Sequence, residues 1–223
     1  MQISFSDEIR AAAPDLRVLV VEATVRNAYT PDALWCEITD ACAELASMPM
    51  EAVNKRPAIA ATRAAYKALG KDPNRYRPSA EALTRRAVKG LELYRTTALV
   101  DLINLLSLRS GHSIGGFDAD AVSGTALCLG RGRAGEPYTA IGRGELNIDG
   151  LPVWRDAVGG IGTPTSDNDR TKMSRDTVRL LMTVNLYGPS EMSDADFETL
   201  MRRLLADYAE AKDVTVNSYS PLA

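Results

Sequence analysis

The sequence of 223 residues predicts a single domain of the α+β class. Segments in which apolar residues recur at helical spacing fill much of the first half of the chain. Short apolar runs separated by glycine follow, and thirteen of the sixteen glycines lie between Gly111 and Gly162. Because strands and helices do not alternate regularly, short antiparallel strands are expected rather than a parallel sheet. Apolar residues at 45% and charged residues at 25% exclude a disordered chain.

The first half of the chain predicts one strand followed by helices. Residues 15–25 form a short β-branched run, which favours a strand that is buried on both faces. Helices are predicted over residues 31–48, 57–69, 79–89 and 97–109. Thr30 and Ser79 are the expected N-caps of the first and third helices, since a hydroxyl there can accept from backbone N–H groups. Asp101 and Asn104 are expected on a polar edge of the last helix.

The second half contains the strongest hairpin pattern of the chain. Residues 146–148 and 151–154 flank the dipeptide Asp149-Gly150, which is typical of a two-residue hairpin turn. Apolar residues then recur at every second position over residues 178–186, and this period predicts a strand. A helix capped by Ser174 is the alternative for that segment.

Positive charge is concentrated in one segment. Residues 55–95 hold eleven basic and three acidic residues, a local charge of +8, whereas the rest carries −11 and the whole chain −3. The net charge argues against strong non-specific binding of nucleic acid, but a local basic face suits a polyanion that docks there. The alternative is a pair of solvated helix faces. The basic residues considered for binding are Lys55, Arg56, Arg75, Arg77, Arg85, Arg86, Lys89 and Arg95.

Residue counts exclude several kinds of site. One histidine, His112, makes a multi-histidine metal centre impossible, so no metal is expected. The three cysteines lack a C-x-x-C pair and are expected as reduced thiols, with Cys36 and Cys42 in the core. No apolar run could span a membrane and no secretory signal is visible, so a cytoplasmic protein without a membrane partner is expected. No phosphate-loop or dinucleotide motif indicates a cofactor.

The segment 159–171 is the most unusual part of the sequence because it combines glycines with hydroxyl side chains. Such a segment can bring backbone N–H groups and hydroxyls against a ligand, which predicts a pocket wall; a turn that caps the next segment is the alternative. Arg143 and Glu145 could hold an anion and an amine, or form a weak surface ion pair. His112 follows a helix, where it could act as a general base or only cap the helix dipole.

One longer pattern combines several of these features. It consists of Leu93-Tyr94-Arg95-Thr96-Thr97-Ala98-Leu99-Val100-Asp101-Leu102-Ile103-Asn104, Gly111, Gly116-Phe117-Asp118, Gly135-Glu136-Pro137, Asp149-Gly150 and the loop 159–162. It resembles the B3/B4 domain of the phenylalanyl-tRNA synthetase β subunit. The likeness is clearest over residues 78–188 of a single domain over 1–223, with a strand-helix extension over 1–77 and a C-terminal helix over 193–212. The chain is similar to free-standing B3/B4 proteins, so aminoacylation is not expected.

The resemblance implies an α+β fold with a mixed or antiparallel sheet, flanking helices, and a pocket for the 3′ end of a tRNA that bears an amino acid. In the synthetase this domain hydrolyses tyrosine wrongly attached to the phenylalanine tRNA, without a metal, by a positioned water helped by the terminal tRNA hydroxyl. For this chain it implies a tRNA-binding protein that deacylates a mischarged tRNA in trans, with the basic segment on the acceptor stem. The implied substrate-binding residues are Gly159, Gly160, Ile161, Gly162, Thr163, Thr165, Arg143, Glu145 and Phe117. Thr163, Thr165 and His112 are the candidates for catalysis.

Two positions depart from the family's pattern. Synthetase members often have a histidine two residues before the Phe-Asp pair, where this chain has Gly115, and an acid on the strand after the glycine-rich loop, where residues 178–187 have none. Because an unpaired buried polar group costs about 1–3 kcal/mol, a site without that acid is expected to recognise a tyrosine hydroxyl poorly. The alternative function is a non-catalytic module that binds an amino acid or a ligand resembling an acceptor stem.

Overall fold

The computed structural model describes residues 1–222. Its strands are β1 (Gln2–Phe5), β2 (Arg17–Thr24), β3 (Ile114–Asp118), β4 (Ala126–Arg131), β5 (Thr139–Ala140), β6 (Gly144–Glu145), β7 (Pro152–Arg155), β8 (Gly160–Gly162), β9 (Arg179–Leu186) and β10 (Lys212–Tyr219). Its α-helices are α1 (Asp7–Ala12), α2 (Asp32–Ala46), α3 (Pro57–Ala68), α4 (Ser79–Val88), α5 (Ala98–Ser110) and α6 (Asp194–Ala209). Short 3-10 helices cover Met50–Lys55, Ala119–Ala121 and Asp169–Thr171.

Three layers make up the centre of the molecule. The middle layer is an antiparallel sheet of order β10-β2-β9-β3. Leu19 and Val21 of β2 pack against α2, α5 and α6, whereas Val18 and Val20 pack toward the second sheet. This alternation is the expected result of a strand whose successive side chains point to opposite faces. The predicted strand over residues 15–25, buried on both faces, is therefore confirmed.

The second sheet has the order β1-β4-β7-β8. Its first pair is parallel and the others are antiparallel, so the sheet is mixed. Leu129 and Trp154 of this sheet meet Leu181 and Phe117 of the middle layer in a common core. The fold class is thus α+β, with a mixed and an antiparallel sheet and flanking helices, as predicted.

The helices α3 and α4 lie beside these layers. Tyr66 of α3 packs on Tyr138 and Leu151, and α4 contacts both α2 and α5. The four predicted helices of this half of the chain are confirmed within two residues at their ends.

Both predicted hydroxyl N-caps are wrong. Thr30 donates its hydroxyl hydrogen bond to Asp101 instead, and α2 begins after Pro31 without a side-chain cap. Asp101 is consequently buried and not on a polar edge. Ser79 is the first residue of α4, and its N–H donates to the carbonyl of Pro164 at 2.7 Å. This bond fixes the start of α4 to the glycine-rich and hydroxyl-rich segment.

The predicted hairpin around Asp149-Gly150 is also wrong. Gly150 does make a turn, with φ of 75°, and the N–H of Leu151 donates to the carbonyl of Ile148. Residues 146–148 nevertheless form no strand, and the ammonium of Lys71 donates to the carbonyls of Asn147 and Asp149. The following strand, β7, pairs with β4 and β8.

The C-terminal region differs from expectation in one element. The segment expected as a helix over 193–212 is α6, which Ser193 caps through its side chain, and it ends at Ala209. The chain then returns as β10, an edge strand beside β2 that the sequence analysis missed. The strand over 178–186 is confirmed as β9. Cys36 is exposed and not in the core, whereas Cys42 is partly buried.

Within residues 1–222, none of the helices has the length and apolar character needed to cross a bilayer.

Candidate functional site

A tight turn at the end of β8 forms the base of the candidate site. The hydroxyl of Thr163 donates to the carbonyl of Ser166 at 2.9 Å and accepts from the N–H groups of Thr165 and Ser166. The hydroxyl of Thr165 lies 2.9 Å from that of Tyr66 in α3. These bonds hold the turn rigidly because each hydroxyl is engaged by a buried neighbour.

A chamber of about 440 Å³ lies between this turn and α5. Thr165, Ser166 and Asp167 line one side, and Ile103 and Asn104 of α5 line another. Its volume falls within the range typical of small-molecule sites. Polar groups from the turn therefore face a partly apolar helix surface across this space.

One glycine is needed where β3 passes the chamber. A Cβ on Gly116 would lie 2.6 Å from Cδ1 of Ile103 and 2.7 Å from Cε of Met173. Real Cβ atoms do not approach so closely, so any larger residue at this position would displace the chamber wall.

A more open groove of about 710 Å³ runs along α4. Its basic residues are Arg77, Arg85, Arg86, Lys89 and Arg143. Tyr94, which is 74% exposed, lies at the groove with the guanidinium of Arg86 4.4 Å from its ring centroid. The groove and the chamber share lining residues, namely Ser79, Thr96, Asn104, Arg143 and Thr165. The two spaces therefore lie side by side.

An ion cluster lies beneath the groove. The side chain of Glu81 is completely buried and faces three guanidinium groups, with N···O distances of 2.8 Å to Arg63, 2.8 Å to Arg85 and 3.6 Å to Arg77. Three positive charges against one negative charge leave an excess of positive charge at the groove. Glu81 thus fixes the positions of Arg77 and Arg85 without neutralising them.

The carboxyl group in the chamber has a different environment. Oδ2 of Asp167 accepts one hydrogen bond, from the N–H of Gly116 at 3.1 Å, and within residues 1–222 the carboxyl makes no salt bridge. Burial raises the pKa of Asp167 to about 7, and the single N–H bond only partly opposes that rise. Asp167 is therefore a group that can change protonation state near neutral pH.

The residues that the resemblance implies for substrate binding lie in several different places in the structure. Thr163 and Thr165 line the chamber, and Arg143 lies at its junction with the groove. Glu145 instead lines a separate surface depression of about 660 Å³. Phe117 is fully buried between the two sheets, so a ligand in the chamber cannot reach its ring.

The glycine-rich part of the loop supports the chamber from behind. Gly160, Ile161 and Gly162 form β8 and are buried, while Gly159 precedes that strand; none of these four residues lines the chamber. A Cβ on Gly162 would lie 2.5 Å from Cζ of Phe117 and 2.9 Å from Oδ1 of Asp167. The role of Gly162 that the structure supports is to let Phe117 and Asp167 approach closely.

The eight basic residues also fall into groups. Arg77, Arg85, Arg86 and Lys89 line the groove, as stated above. Lys55 and Arg75 are exposed but lie outside its lining, and Arg95 binds Asp32 and the carbonyl of Thr30. Arg56 must be removed from the set, because it is buried by its bonds to Glu191, Thr84 and the carbonyl of Leu108.

His112 lies away from the chamber. It is 3% exposed, packs edge-on against Phe197 of α6, and does not line the chamber or the groove. Burial lowers the pKa of His112 to about 4, so the ring is neutral at physiological pH. His112 is thus a packed core residue. The prediction that it takes part in catalysis is wrong, because the ring lies outside the chamber.

The site where the family often has a histidine is closed in this chain. A Cβ on Gly115 would lie 2.7 Å from the ring of Phe117 and 2.9 Å from Oγ1 of Thr183. The departure seen in the sequence therefore corresponds to a lack of space for any side chain.

Asp167 and Tyr94 are site residues that were not predicted from the sequence. Asp167 lies in the segment that was expected as a pocket wall, but a single acid between two polar residues carries no periodic signal. Tyr94 is in the family-like stretch, and only its position beside Arg86 distinguishes it. Within residues 1–222, no group of three or more His, Cys, Asp or Glu side chains is arranged to hold a metal ion.

The fold is an α+β domain with a chamber beside a basic groove, and comparison with known proteins identifies its family. The sequence model of the B3/4 domain family matches residues 61–209, and the chain belongs to that family. This confirms the resemblance and makes the chain a domain related to part of a tRNA synthetase.

The structure also resembles an N-terminal fragment of the phenylalanyl-tRNA synthetase β subunit from Pyrococcus horikoshii, with a TM-score of 0.47 and 13% identity. The match covers 95% of this chain and 49% of that fragment, so the chain spans about half of its length. No curated protein matches the chain.

Proposed function

We propose that this protein binds the 3′ end of an aminoacylated tRNA and hydrolyses the ester of a wrongly attached amino acid. The observation that carries the proposal is that the basic groove adjoins the chamber and shares five lining residues with it. A groove of positive charge suits a phosphate backbone, and a chamber at its end suits the terminal nucleoside and its amino acid.

The groove favours an unpaired strand over a duplex. Proteins that hold single strands combine positive charge along the backbone path with aromatic rings on which bases stack. Tyr94 offers such a ring, exposed and adjacent to Arg86. The unpaired end of a tRNA acceptor arm has the matching chemistry.

The chamber supports the hydrolytic part of the proposal. An ester needs a positioned water and a group that can take a proton, and Asp167 is the titratable group of the chamber wall with a pKa near neutrality. Arg143 at the junction is placed to contact the last phosphate or the ester carbonyl. The chamber would contact the amino acid through polar loop atoms and through both apolar and polar residues of α5.

Deacylation assays test the function directly. Transcribed tRNAs are acylated by a ribozyme with labelled alanine, serine, threonine, valine or tyrosine, and release of the amino acid is followed with and without protein. We expect at least one mispaired tRNA to be deacylated at least a hundredfold faster than in buffer. If none is accelerated but the tRNA binds, the alternative of a non-catalytic binding module is correct.

Variants on the groove separate binding from chemistry. Arg86→Ala is expected to weaken binding of the acylated tRNA, whereas Arg202→Ala on α6, which lies outside both linings, serves as the control for loss of an arginine. Equal effects of the two substitutions on the dissociation constant would contradict the placement of the tRNA in the groove.

A further inference from the structure

We propose that the carboxylate of Asp167 is the base that takes a proton from the attacking water, an inference that rests on the hydrolysis proposed above. Asp167 was not among the residues that the sequence or the family resemblance pointed to. Its position in the chamber, its partners and its freedom from ion pairs carry the argument.

The carboxyl group of Asp167 belongs to the wall of the chamber. Asp167 is half-buried and is one of the lining residues, and its Oδ1 lies beside Gly162. Oδ2 is held by the N–H of Gly116, while Oδ1 has no hydrogen-bond partner among residues 1–222. One oxygen is therefore anchored to β3 and the carboxyl group retains capacity to accept another hydrogen bond.

The neighbouring charged and titratable groups leave Asp167 unpaired. Arg143 and Lys172 also line the chamber, but the ammonium of Lys172 is bound by Asp169 at 2.8 Å. Tyr138 donates its hydroxyl to the carbonyl of Ser166, and the pKa of Tyr138 is raised, so that phenol stays neutral. Since Asp167 forms no ion pair, burial dominates and raises its pKa into the range where a base works best.

The other candidates for this role are occupied. The hydroxyl of Thr163 is engaged in the turn and that of Thr165 meets Tyr66. His112 lies outside the chamber. Asp167 remains as the chamber group that can be ionised at neutral pH and can accept a proton.

The reaction step follows from this assignment. The ionised carboxylate accepts a proton from water while the water oxygen forms a bond to the ester carbonyl carbon. The bond between that carbon and the ribose oxygen then breaks, and the proton passes to the ribose oxygen. The products are a free amino acid and a tRNA with its terminal hydroxyl restored, and Asp167 is again ionised.

The pH dependence of deacylation by the intact protein tests the inference. The probe is the mispaired tRNA that wild type deacylates fastest in the panel above, with the buffer rate subtracted at each pH because hydroxide also cleaves the ester. Wild type is expected to show a rate that rises with an apparent pKa of about 7. Asp167→Asn, which can still accept from Gly116, is expected to lose about 10²–10⁴-fold in rate together with that rise.

Matched controls separate catalysis from folding and binding. Asp176→Asn changes the charge equally at an exposed position outside the chamber and is expected to behave as wild type. Thermal melting checks the fold of each variant. A tRNA of the same sequence with the amino acid on a 3′-amide, which resists hydrolysis, is expected to bind Asp167→Asn within threefold of wild type.

The outcomes distinguish the inference from the function. If wild type deacylates and Asp167→Asn keeps its rate or its pH-dependent rise, the base assignment is wrong while the proposed function stands. Loss of amide-tRNA binding in Asp167→Asn would also overturn it, because Asp167 would then be a binding group. If wild type deacylates nothing, both proposals fail together.

Discussion

The groove and the chamber each contain a carboxyl group, and the two groups are held in opposite ways. Glu81 beneath the groove is fully buried and faces three guanidinium groups. Asp167 in the chamber has one backbone N–H and no ion pair within residues 1–222. A carboxylate surrounded by positive charge is a fixed structural anchor, whereas one with a single weak donor remains free to exchange a proton.

The groove and the chamber thus differ in the charge around their carboxyl groups, and this difference suits the two parts of the proposed function. In the proposed function, positive charge along the groove would attract a polyanion. Glu81 binds Arg77 and Arg85 in the groove lining. In the chamber no charged group pairs with Asp167, which costs stability but leaves a group with a pKa near neutrality. Four substitutions test this contrast.

Glu81→Ala is expected to have the largest effect on stability. Removal of the carboxylate leaves three partly exposed guanidinium groups without their shared partner. The expected loss is about 3 kcal/mol in the free energy of unfolding, the upper end for a hydrogen bond to a charged group. Urea unfolding of the variant and of Glu198→Ala, an exposed ion-pair residue on α6, measures the difference. A loss below about 1 kcal/mol, no greater than for an exposed pair, would show that Glu81 is not an anchor.

Asp167→Asn is expected to stabilise the protein by about 2 kcal/mol at pH 8. Burial raises the pKa of Asp167 to about 7 in the folded state, against about 3.9 for an aspartate in an unfolded chain, so the folded state binds the proton more tightly. As pH rises from 4 to 7 the unfolded chain loses that proton first, and wild type loses stability over this window relative to the variant. Urea unfolding at pH 4, 5, 6, 7 and 8 measures the gap, which should grow until about pH 7. A gap that is constant with pH would contradict the raised pKa.

Tyr94→Ala is expected to weaken binding of the tRNA 3′ end by about 1–2 kcal/mol, since a stacked base contributes in this range. Tyr94→Trp should retain affinity, because the larger ring also stacks. Fluorescence anisotropy with a labelled oligonucleotide that ends in an unpaired strand measures both variants. Equal binding of Tyr94→Ala and wild type would remove the stacking platform from the groove.

Lys89→Ala is expected to produce the smallest change. Loss of one phosphate contact should lower the slope of log affinity against log salt by about 0.7–1, with a modest loss of affinity. Binding of the acylated tRNA between low and moderate salt measures the slope, and Lys212→Ala on the edge strand β10 is the control. An unchanged slope would place Lys89 outside the phosphate path.

Some of the site was predictable from the sequence because its signals are local. The segment 159–171 stood out by composition, and its hydroxyl-bearing end does line the chamber. The basic segment likewise supplied four residues of the groove. Arg56 could not be separated from them, because its burial depends on Glu191, which lies far along the chain.

Other wrong predictions also involve contacts between segments that are distant in the chain. The dipeptide Asp149-Gly150 forms the predicted turn, but β7 pairs with β4 and β8 and not with the residues just before the turn. The ammonium of Lys71 binds the carbonyl of Asp149. Asp101 seemed polar by spacing alone, yet Thr30 and Thr96 surround its carboxylate and allow it to be buried. Each case required knowledge of contacts between distant segments.

The sequence by itself determined the α+β class, most helices, the strands β2 and β9, and the family, because hydrophobic period and short motifs are properties of neighbouring residues. The tertiary structure alone decided which polar groups are paired. It buried Glu81 among arginines, left Asp167 with one N–H, and closed Gly115 against Phe117. The protonation behaviour of a group depends on burial and on charges brought from elsewhere in the chain, so it emerges only when the layers assemble.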